Sequence, residues 1–549
     1  MSQTSTAASA APATIKTNTG ALATLVIVFF FWGFIAASNS IFIPFCKSHF
    51  NLSQFESQLI GSAFYGAYFI GSLILYLLSS VMGYDILNKI GYKKGIIYGL
   101  LISVVGALAI IPSANANSFG LILVSFFIVA LGFSLQQTAA QPFAIALGDP
   151  ATGSHRLNLA GGVNSLGTTL GPIIVSVFLF GSASSANANV TVTNVNNLYL
   201  IVAGVFAAVA AFFALSKKLP DGKSDAKFEG SKKASGSLLL MTGLIILIII
   251  IGQLTEVGKL PLLLATLFIV VGILFYSNSS ALKNNDGWGA MKYPQLIYGM
   301  LGIFLYVGVE VTIDNNFGAL LKTPGYITQS GLDESEISGF ISLYWGSLMI
   351  GRWTGAIGVF NLSGMGKKIA TIVVPYIAFA VVLFVNNLYG NDINELLPYA
   401  VCIAIAIAAF FFGQEKPVKT LLTLSLLATV AMLIGVFSTG KISVYAFISG
   451  GLCCSIMWPC IFSLGVAGLG KYTSQGSAFL IMMILGGAII PPFQGSIGDI
   501  THADGTNNMH NSYLVAAACF GLLAFLALKL RSVLKAQGLD FDSQIGGGH

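Results

Sequence analysis

Apolar runs of about 18 to 25 residues, each closed by a short polar segment, recur from one end of the chain to the other. Coiled as helices, runs of this length match the roughly 30 Å hydrocarbon thickness of a bilayer. The pattern predicts helices over 21–45, 58–82, 95–113, 118–146, 155–180 and 197–216. A second set lies over 293–320, 334–360, 420–438, 443–468, 473–498 and 510–531. Two further pairs, 236–253 with 258–277 and 369–388 with 397–414, stand outside this division into sixes. Each pair is a hairpin, so it leaves the sidedness of the later helices unchanged. Short alternating strands of the kind that build an outer-membrane barrel are absent from the pattern. The fold class expected is an all-α polytopic membrane protein of about 16 helices, two six-helix bundles plus two extra transmembrane hairpins.

Polar segments divide the chain further. Residues 1–20, rich in Ala, Ser and Thr, read as a disordered tail, without the basic region and short apolar core of a signal peptide. The first bundle is expected over 21–216, a charged linker over 217–235, the first extra hairpin and its loop over 236–292, the second bundle over 293–531 with a hairpin inserted at about 369–414, and a tail over 532–549.

Composition agrees: 55% of residues are hydrophobic and 8% charged, against roughly a quarter charged in a soluble domain. The net charge of +6 suggests a polyanion partner until its distribution is traced. Placing the N-terminus inside puts 21 of the 26 Lys and Arg residues in inside segments, leaves Lys47, Lys259, Lys322 and Lys441 outside, and sets Arg352 within a helix. That asymmetry is the positive-inside rule and not a nucleic-acid surface. It predicts both termini in the cytoplasm and the chain in the inner membrane. The 62 glycines suit helices packed closely in lipid. The six cysteines show no metal-ligand spacing and read as small apolar residues.

Candidate chemistry lies where charge interrupts hydrocarbon. Glu310 and Asp314 sit one turn apart in the run 293–320. A charge at bilayer depth costs ~2.5 to 3.5 kcal/mol on insertion scales, so it marks a polar cavity or a partner. Glu310, with Asp314 nearer the external surface, is expected to couple a cation. A proton would titrate the carboxylate; sodium would use it together with Thr312 and Asn315. Arg352 reads as a structural lock or gate between helices.

The two halves repeat. Ser62-Ala-Phe-Tyr-Gly-Ala-Tyr-Phe-Ile-Gly71 matches Ser342-Leu-Tyr-Trp-Gly-Ser-Leu-Met-Ile-Gly351, and Pro142-Phe-Ala-Ile-Ala-Leu-Gly148 matches Pro459-Cys-Ile-Phe-Ser-Leu-Gly465. Duplicated halves are what carriers use to alternate access around a central site. Several motifs, Phe30-Phe-Trp-Gly33, Gln137-Thr-Ala-Ala-Gln-Pro-Phe143, His155-Arg-Leu-Asn158, Asn164-Ser-Leu-Gly167, Gly351-Arg-Trp-Thr-Gly355, Trp458-Pro459 and Gly486-Gly-Ala-Ile-Ile-Pro-Pro492, resemble the fucose-proton symporter family of the major facilitator superfamily. The loop Leu87–Lys94 resembles the superfamily's basic loop, with Lys89 and Lys93 as gating candidates and Asn88 where an Asp is usual.

The resemblance implies the major facilitator fold and a sugar carrier for fucose, galactose, glucose or an N-acetylhexosamine. It also exposes departures. The family's proton-coupling Asp and Glu align with Ser40 and Gln137, its binding Asn and Gln with Ala37 and Gly161, and a tyrosine with Trp458, while Asn164 is retained. Coupling must then sit elsewhere, at Glu310, or be lost, which leaves an uncoupled uniporter or sensor as the alternative. A sugar offers C–H faces to rings and hydroxyls to amides. Tyr344 and Trp458, with Asn39, Gln137, Gln141, Asn164, Asn315 and Gln494, are the expected binding set. An enzyme is disfavoured, because the histidines are scattered and no nucleotide or metal motif appears. No cofactor is expected beyond co-transported H+ or Na+; the expected partners are a small sugar and the bilayer.

Overall fold

The computed structural model describes residues 16–51, 54–180, 191–224, 231–332, 334–360, 362–413, 416–500 and 507–539. The first half contains α1 (Thr19–His49), α2 (Gln54–Met82), α3 (Tyr92–Asn115), α4 (Phe119–Ala146), α5 (Gly153–Phe180) and α6 (Val192–Leu215). An inserted hairpin comes next, α7 (Lys232–Leu254) and α8 (Lys259–Lys283). The second half contains α9 (Pro294–Leu321), α10 (Glu334–Ala356), a second hairpin of α11 (Gly364–Tyr389) and α12 (Ala400–Gly413), then α13 (Pro417–Phe437), α14 (Gly440–Val466), α15 (Gly470–Gly498) and α16 (Met509–Ala536). Among the described residues, 13 helices are long and apolar enough to cross a membrane.

Polar residues close the helices where the chain leaves the apolar layer. Ser118 accepts from the Leu121 amide at the start of α4, Thr191 and Asn194 form a capping box on α6, and Gly390 ends α11 in the left-handed region at φ 83°. Two helices expected to be continuous are broken. The span 443–468 is interrupted after Cys454 and resumes at Met457, and 473–498 passes through a 3-10 turn at Met483–Leu485. Pro459 is the physical reason for the first break, since it has no N–H for the Ser455 carbonyl; the 3-10 turn instead precedes Pro491 and Pro492, which lie inside the helix that follows it. The expected helix 334–360 likewise gives way to a 3-10 turn at Ile357–Val359.

Within the first half α1 lies against α5, and α4 lies between α3 and α2. At Gly33 an added Cβ would collide with the Asn164 carbonyl, and at Gly167 with that of Phe30, so α1 and α5 meet backbone to backbone. In the second half α9 is surrounded by α14, α15 and α16. The halves meet along two seams, α2 and α4 against α15, and α5 against α10 and α14.

Both hairpins present much apolar surface outward, as lipid-facing helices do. Hairpin α7–α8 rests on α9 and α15 and touches α2. Hairpin α11–α12 is strapped to α10, where Asn386 Nδ2 donates to Ser342 Oγ at 2.9 Å and Ser338 Oγ to Asn391 Oδ1 at 2.8 Å. The face that carries residues 216–224 is termed the linker face, and the opposite one the far face.

Candidate functional site

Glu310 lies near the middle of α9, buried against α10. A carboxylate there needs a compensating charge, and Arg352 supplies it. Its Nη2 stands 3.4 Å from Glu310 Oε1, with both side chains largely shielded. The rest of the guanidinium is also engaged. Nη1 donates to Ser165 Oγ at 2.8 Å and Nε to the Ser455 carbonyl at 3.3 Å. That carbonyl is available because Pro459 cannot donate to it. Arg352 therefore ties α10 to α9 and α14 of its own half and to α5 of the other. Its stem runs over Gly161, where a Cβ would sit 3.3 Å from Cδ, so the missing side chain on α5 makes room for the arginine. Sequence reasoning flagged both charged residues but not their pairing, since they lie 42 positions apart.

Two tyrosines fix the carboxylate's surroundings. Tyr344, fully buried, donates to the Glu310 carbonyl at 2.7 Å. Its hydroxyl is therefore committed to the backbone, and its ring, expected as a face for a ligand, is packed inside the protein. Tyr306 stands one turn from Glu310 on α9. Its hydroxyl lies beside both Glu310 and Arg352, without a hydrogen bond of good geometry to either. Tyr306 also meets Trp458, with ring centroids 5.9 Å apart, and Trp458 stacks on Phe462 at 6.1 Å.

Asp314 accepts from the Trp345 indole N–H at 3.0 Å. It has no ion pair among the described residues. Tyr65 of α2 is within electrostatic reach of both carboxylates, so they face the other half across the interface.

The proposed sodium set does not assemble. Thr312 lies about 200° around the helix from Glu310 and donates to Gln494 Oε1 at 3.1 Å on α15. Asn315 is exposed, while its neighbour Asn316 is buried and donates to the Thr312 carbonyl at 3.0 Å. Among the described residues there is no cluster of three or more His, Cys, Asp or Glu fit to hold a metal ion.

The remaining binding candidates fall into two groups. Gln137 is half-buried on α4 and donates to Tyr68 Oη at 3.0 Å; Gln141, one turn on, is buried; Trp458 is half-buried on α14. These three sit on α4 and α14, helices that meet the other half. Asn164 instead donates to the Phe29 carbonyl at 2.9 Å, stitching α5 to α1, and Gln494 is fully buried against α9. Asn39 lies outside the described side chains. Lys89 and Lys93 stay at the linker face, Lys89 over the Tyr84 ring at 3.8 Å and Lys93 donating to the Ser216 carbonyl at 2.7 Å.

Ser165, Ser455 and Tyr306 are the residues that reading the sequence missed. Tyr306 was visible in principle, four residues before Glu310. Ser165 stood beside a flagged asparagine, yet a turn of about 100° sends the two side chains to different helices.

The sequence profile of the Major Facilitator Superfamily matches residues 21–414. The chain is 29% identical over 508 residues to a glucose/galactose transporter of Brucella abortus, covering 92% of this chain and 93% of that one. It is 25% identical over 516 residues to the L-fucose-proton symporter of Escherichia coli, covering 93% and 92%. The crystal structure of the E. coli fucose:proton symporter superposes with a TM-score of 0.61 at 22% identity, over 94% of this chain and 99% of that one. A second structure of that transporter, in the outward conformation, gives 0.61 over 93% and 98%. The chain therefore belongs to the Major Facilitator Superfamily, among the relatives of the fucose-proton symporters.

Proposed function

We propose that this protein carries a hexose-type sugar by alternating access, coupled to H+ or Na+ through Glu310. The substrate class follows the names of its relatives, which are transporters of glucose and galactose or of L-fucose. Fucose, galactose, glucose and N-acetylhexosamines are the range to test. The linker face is read as cytoplasmic from the charge asymmetry, with both termini inside and the chain in the inner membrane.

One observation carries the coupling: Arg352 holds Glu310 and Ser165 together, and those residues belong to different halves. With Glu310 ionised, the pair is neutral and the α5–α10 seam is closed at mid-depth. A proton on Glu310 removes the counter-charge and leaves a guanidinium in a poorly hydrated seam, which costs several kcal/mol unless water or another partner enters. Opening the seam admits that water. Loss of the proton restores the pair and favours closure, so cation occupancy biases which face is open. Asp314, lacking an ion pair, is the second acceptor on the same helix. The sugar ring would stack on Trp458, with Gln137 and Gln141 toward its hydroxyls and Asn164 behind them.

A second reading, an uncoupled uniporter, draws on the same pair: a carboxylate already matched by an arginine needs no external cation. Glu310→Gln in proteoliposomes separates the two, using labelled glucose, galactose, fucose and N-acetylglucosamine under imposed proton and sodium gradients. Coupling predicts that uphill uptake collapses in the variant while sugar-for-sugar exchange persists. Full concentrative uptake by the variant overturns the assignment to Glu310. Absence of gradient-driven uptake in the parent establishes the uniporter.

A further inference from the structure

Hairpin α7–α8 begins with a residue that lipid-facing helices do not call for. Ser231, immediately before α7, is completely buried. Tyr76 of α2 places its hydroxyl 2.6 Å from Ser231 Oγ, 3.0 Å from the Ser231 carbonyl and 3.0 Å from Ser235 Oγ. From the other half, Gln475 of α15 donates Nε2 to Ser231 Oγ at 3.0 Å. Its Oε1 accepts from the backbone N–H of Ala290, in the 3-10 turn that comes after α8. Both ends of the hairpin therefore enter one buried knot with a residue from each half.

The knot sits on the α2–α15 seam. Direct bonds cross the same seam beside it: Ser474 donates to Asp85 Oδ1 at 2.9 Å, Asn88 Nδ2 to the Lys471 carbonyl at 3.4 Å, and Ser477 to the Thr138 carbonyl at 2.8 Å. A carrier that opens its interior to the linker face must separate α2 from α15 here. Hairpin α7–α8 packs on α9 and α15 and only touches α2, so it travels with the second half. The bonds of Tyr76 are then the ones that must break.

From this geometry we infer that the first inserted hairpin is a clamp across the linker-face seam, fastened to the first half through Tyr76 and released each time that face opens. Every group in the fastening is neutral, and each can exchange its protein partner for water as the seam parts. The clamp thus biases the carrier toward the linker-face-closed state without locking it.

Spin labels at Lys94 and Lys535, exposed residues of α3 and α16, report the opening of the linker face in the full-length protein in nanodiscs. None of the six native cysteines is exposed, so the labels can be directed to introduced ones. Tyr76→Phe removes the hydroxyl but keeps the ring, whose centroid lies 4.7 Å from that of Phe479. The ratio of long to short distances should rise roughly 5-fold, the effect of one net hydrogen bond. Ser231→Ala should shift the ratio in the same direction, and the double variant should move it by less than the product of the two. Distance distributions unchanged in both single variants, or effects that multiply fully in the double, overturn the clamp. The measurement needs neither sugar nor ion gradient, so its failure leaves the coupling reading untouched, and the reverse holds.

Discussion

The two seams between the halves are counterparts by duplication: α2 meets α15 as α10 meets α5, and the repeated segments Ser62–Gly71 and Ser342–Gly351 lie on α2 and α10. Their chemistry differs. The α5–α10 seam is built around a guanidinium, with Arg352 on Ser165, Trp353 Nε1 donating to the Gly162 carbonyl at 3.2 Å and His155 Nδ1 3.1 Å from the Gly355 carbonyl. The α2–α15 seam is built from hydroxyls and amides, one carboxyl group at Asp85, and an inserted hairpin. The repeated prolines show the divergence most closely. Pro142 frees the Thr138 carbonyl, which Ser477 of the other half takes up; Pro459 frees the Ser455 carbonyl, which Arg352 of the same half takes up. On the proposed readings, the first seam answers to the Glu310–Arg352 pair, and the second sets a resting bias that Asp85 alone would tune with pH.

The largest test of this division removes the charge. Arg352→Ala strands Glu310 as an uncompensated buried carboxylate, and thermal stability in detergent should fall by about 3 to 5 kcal/mol. Adding Glu310→Gln to that variant should recover most of the loss. A stable single variant breaks the comparison, because the seam would then not depend on charge.

Steric wedges sharpen it. At Gly355 a Cβ would lie 2.6 Å from Asn158 Nδ2 and 2.8 Å from Ile456 Cγ2, whereas at Gly487 the nearest atoms, of Val307 and Tyr65, stand at 3.1 and 3.2 Å. Gly355→Ala should cost about 1 to 3 kcal/mol of the closed state and raise the long-distance population of the Lys94 and Lys535 labels; Gly487→Ala should move it far less. Equal shifts would mean that the two seams are equally tight.

Restoring a backbone donor has a smaller effect. Pro142→Ala offers the Thr138 carbonyl an N–H within its own helix, so Ser477 loses exclusive use of it and the linker face should open by a factor of about 5 or less. Pro459→Ala competes with Arg352 instead, and its effect should appear in gradient-driven uptake more than in label distances. An identical profile for both prolines would erase the distinction drawn between the freed carbonyls.

The smallest expected effect is one of pH. Burial pushes the Asp85 carboxyl above its ordinary range, against the hydrogen bonds from the Asn88 amide and Ser474 that pull it down. A closed seam then binds a proton more tightly than an open one that wets Asp85. Closure should be favoured as pH falls through the raised pKa and should weaken as pH rises above it. Asp85→Asn should flatten this dependence in the label distances; a pH profile that survives the substitution would assign it to another group.

The membrane helices were legible because a bilayer demands length and apolarity, and both are written locally; the expected 118–146 became Phe119–Ala146. The breaks were half legible. Pro459 announces a free carbonyl, but nothing near it in the chain says that Arg352 will occupy it. Site geometry depends on how each helix is rotated, and that is where reading failed. Thr312 lies two residues from Glu310 and faces another helix; Asn164 and Ser165 are adjacent and serve different contacts. Asp85 drew no notice because the superfamily's loop pattern directs attention to Asn88, three residues on.

The second hairpin has a consequence for how the protein reads its lipid. A helix that faces lipid adjusts its tilt when the bilayer thins or thickens. Helix α10 is screened from that influence by α11, with Val382 pressed into the gap left at Gly346 and two side-chain hydrogen bonds near the far face. Membrane thickness should therefore act on the outer hairpins first, with the helix that carries Arg352 holding its angle to Glu310 across bilayers of different composition.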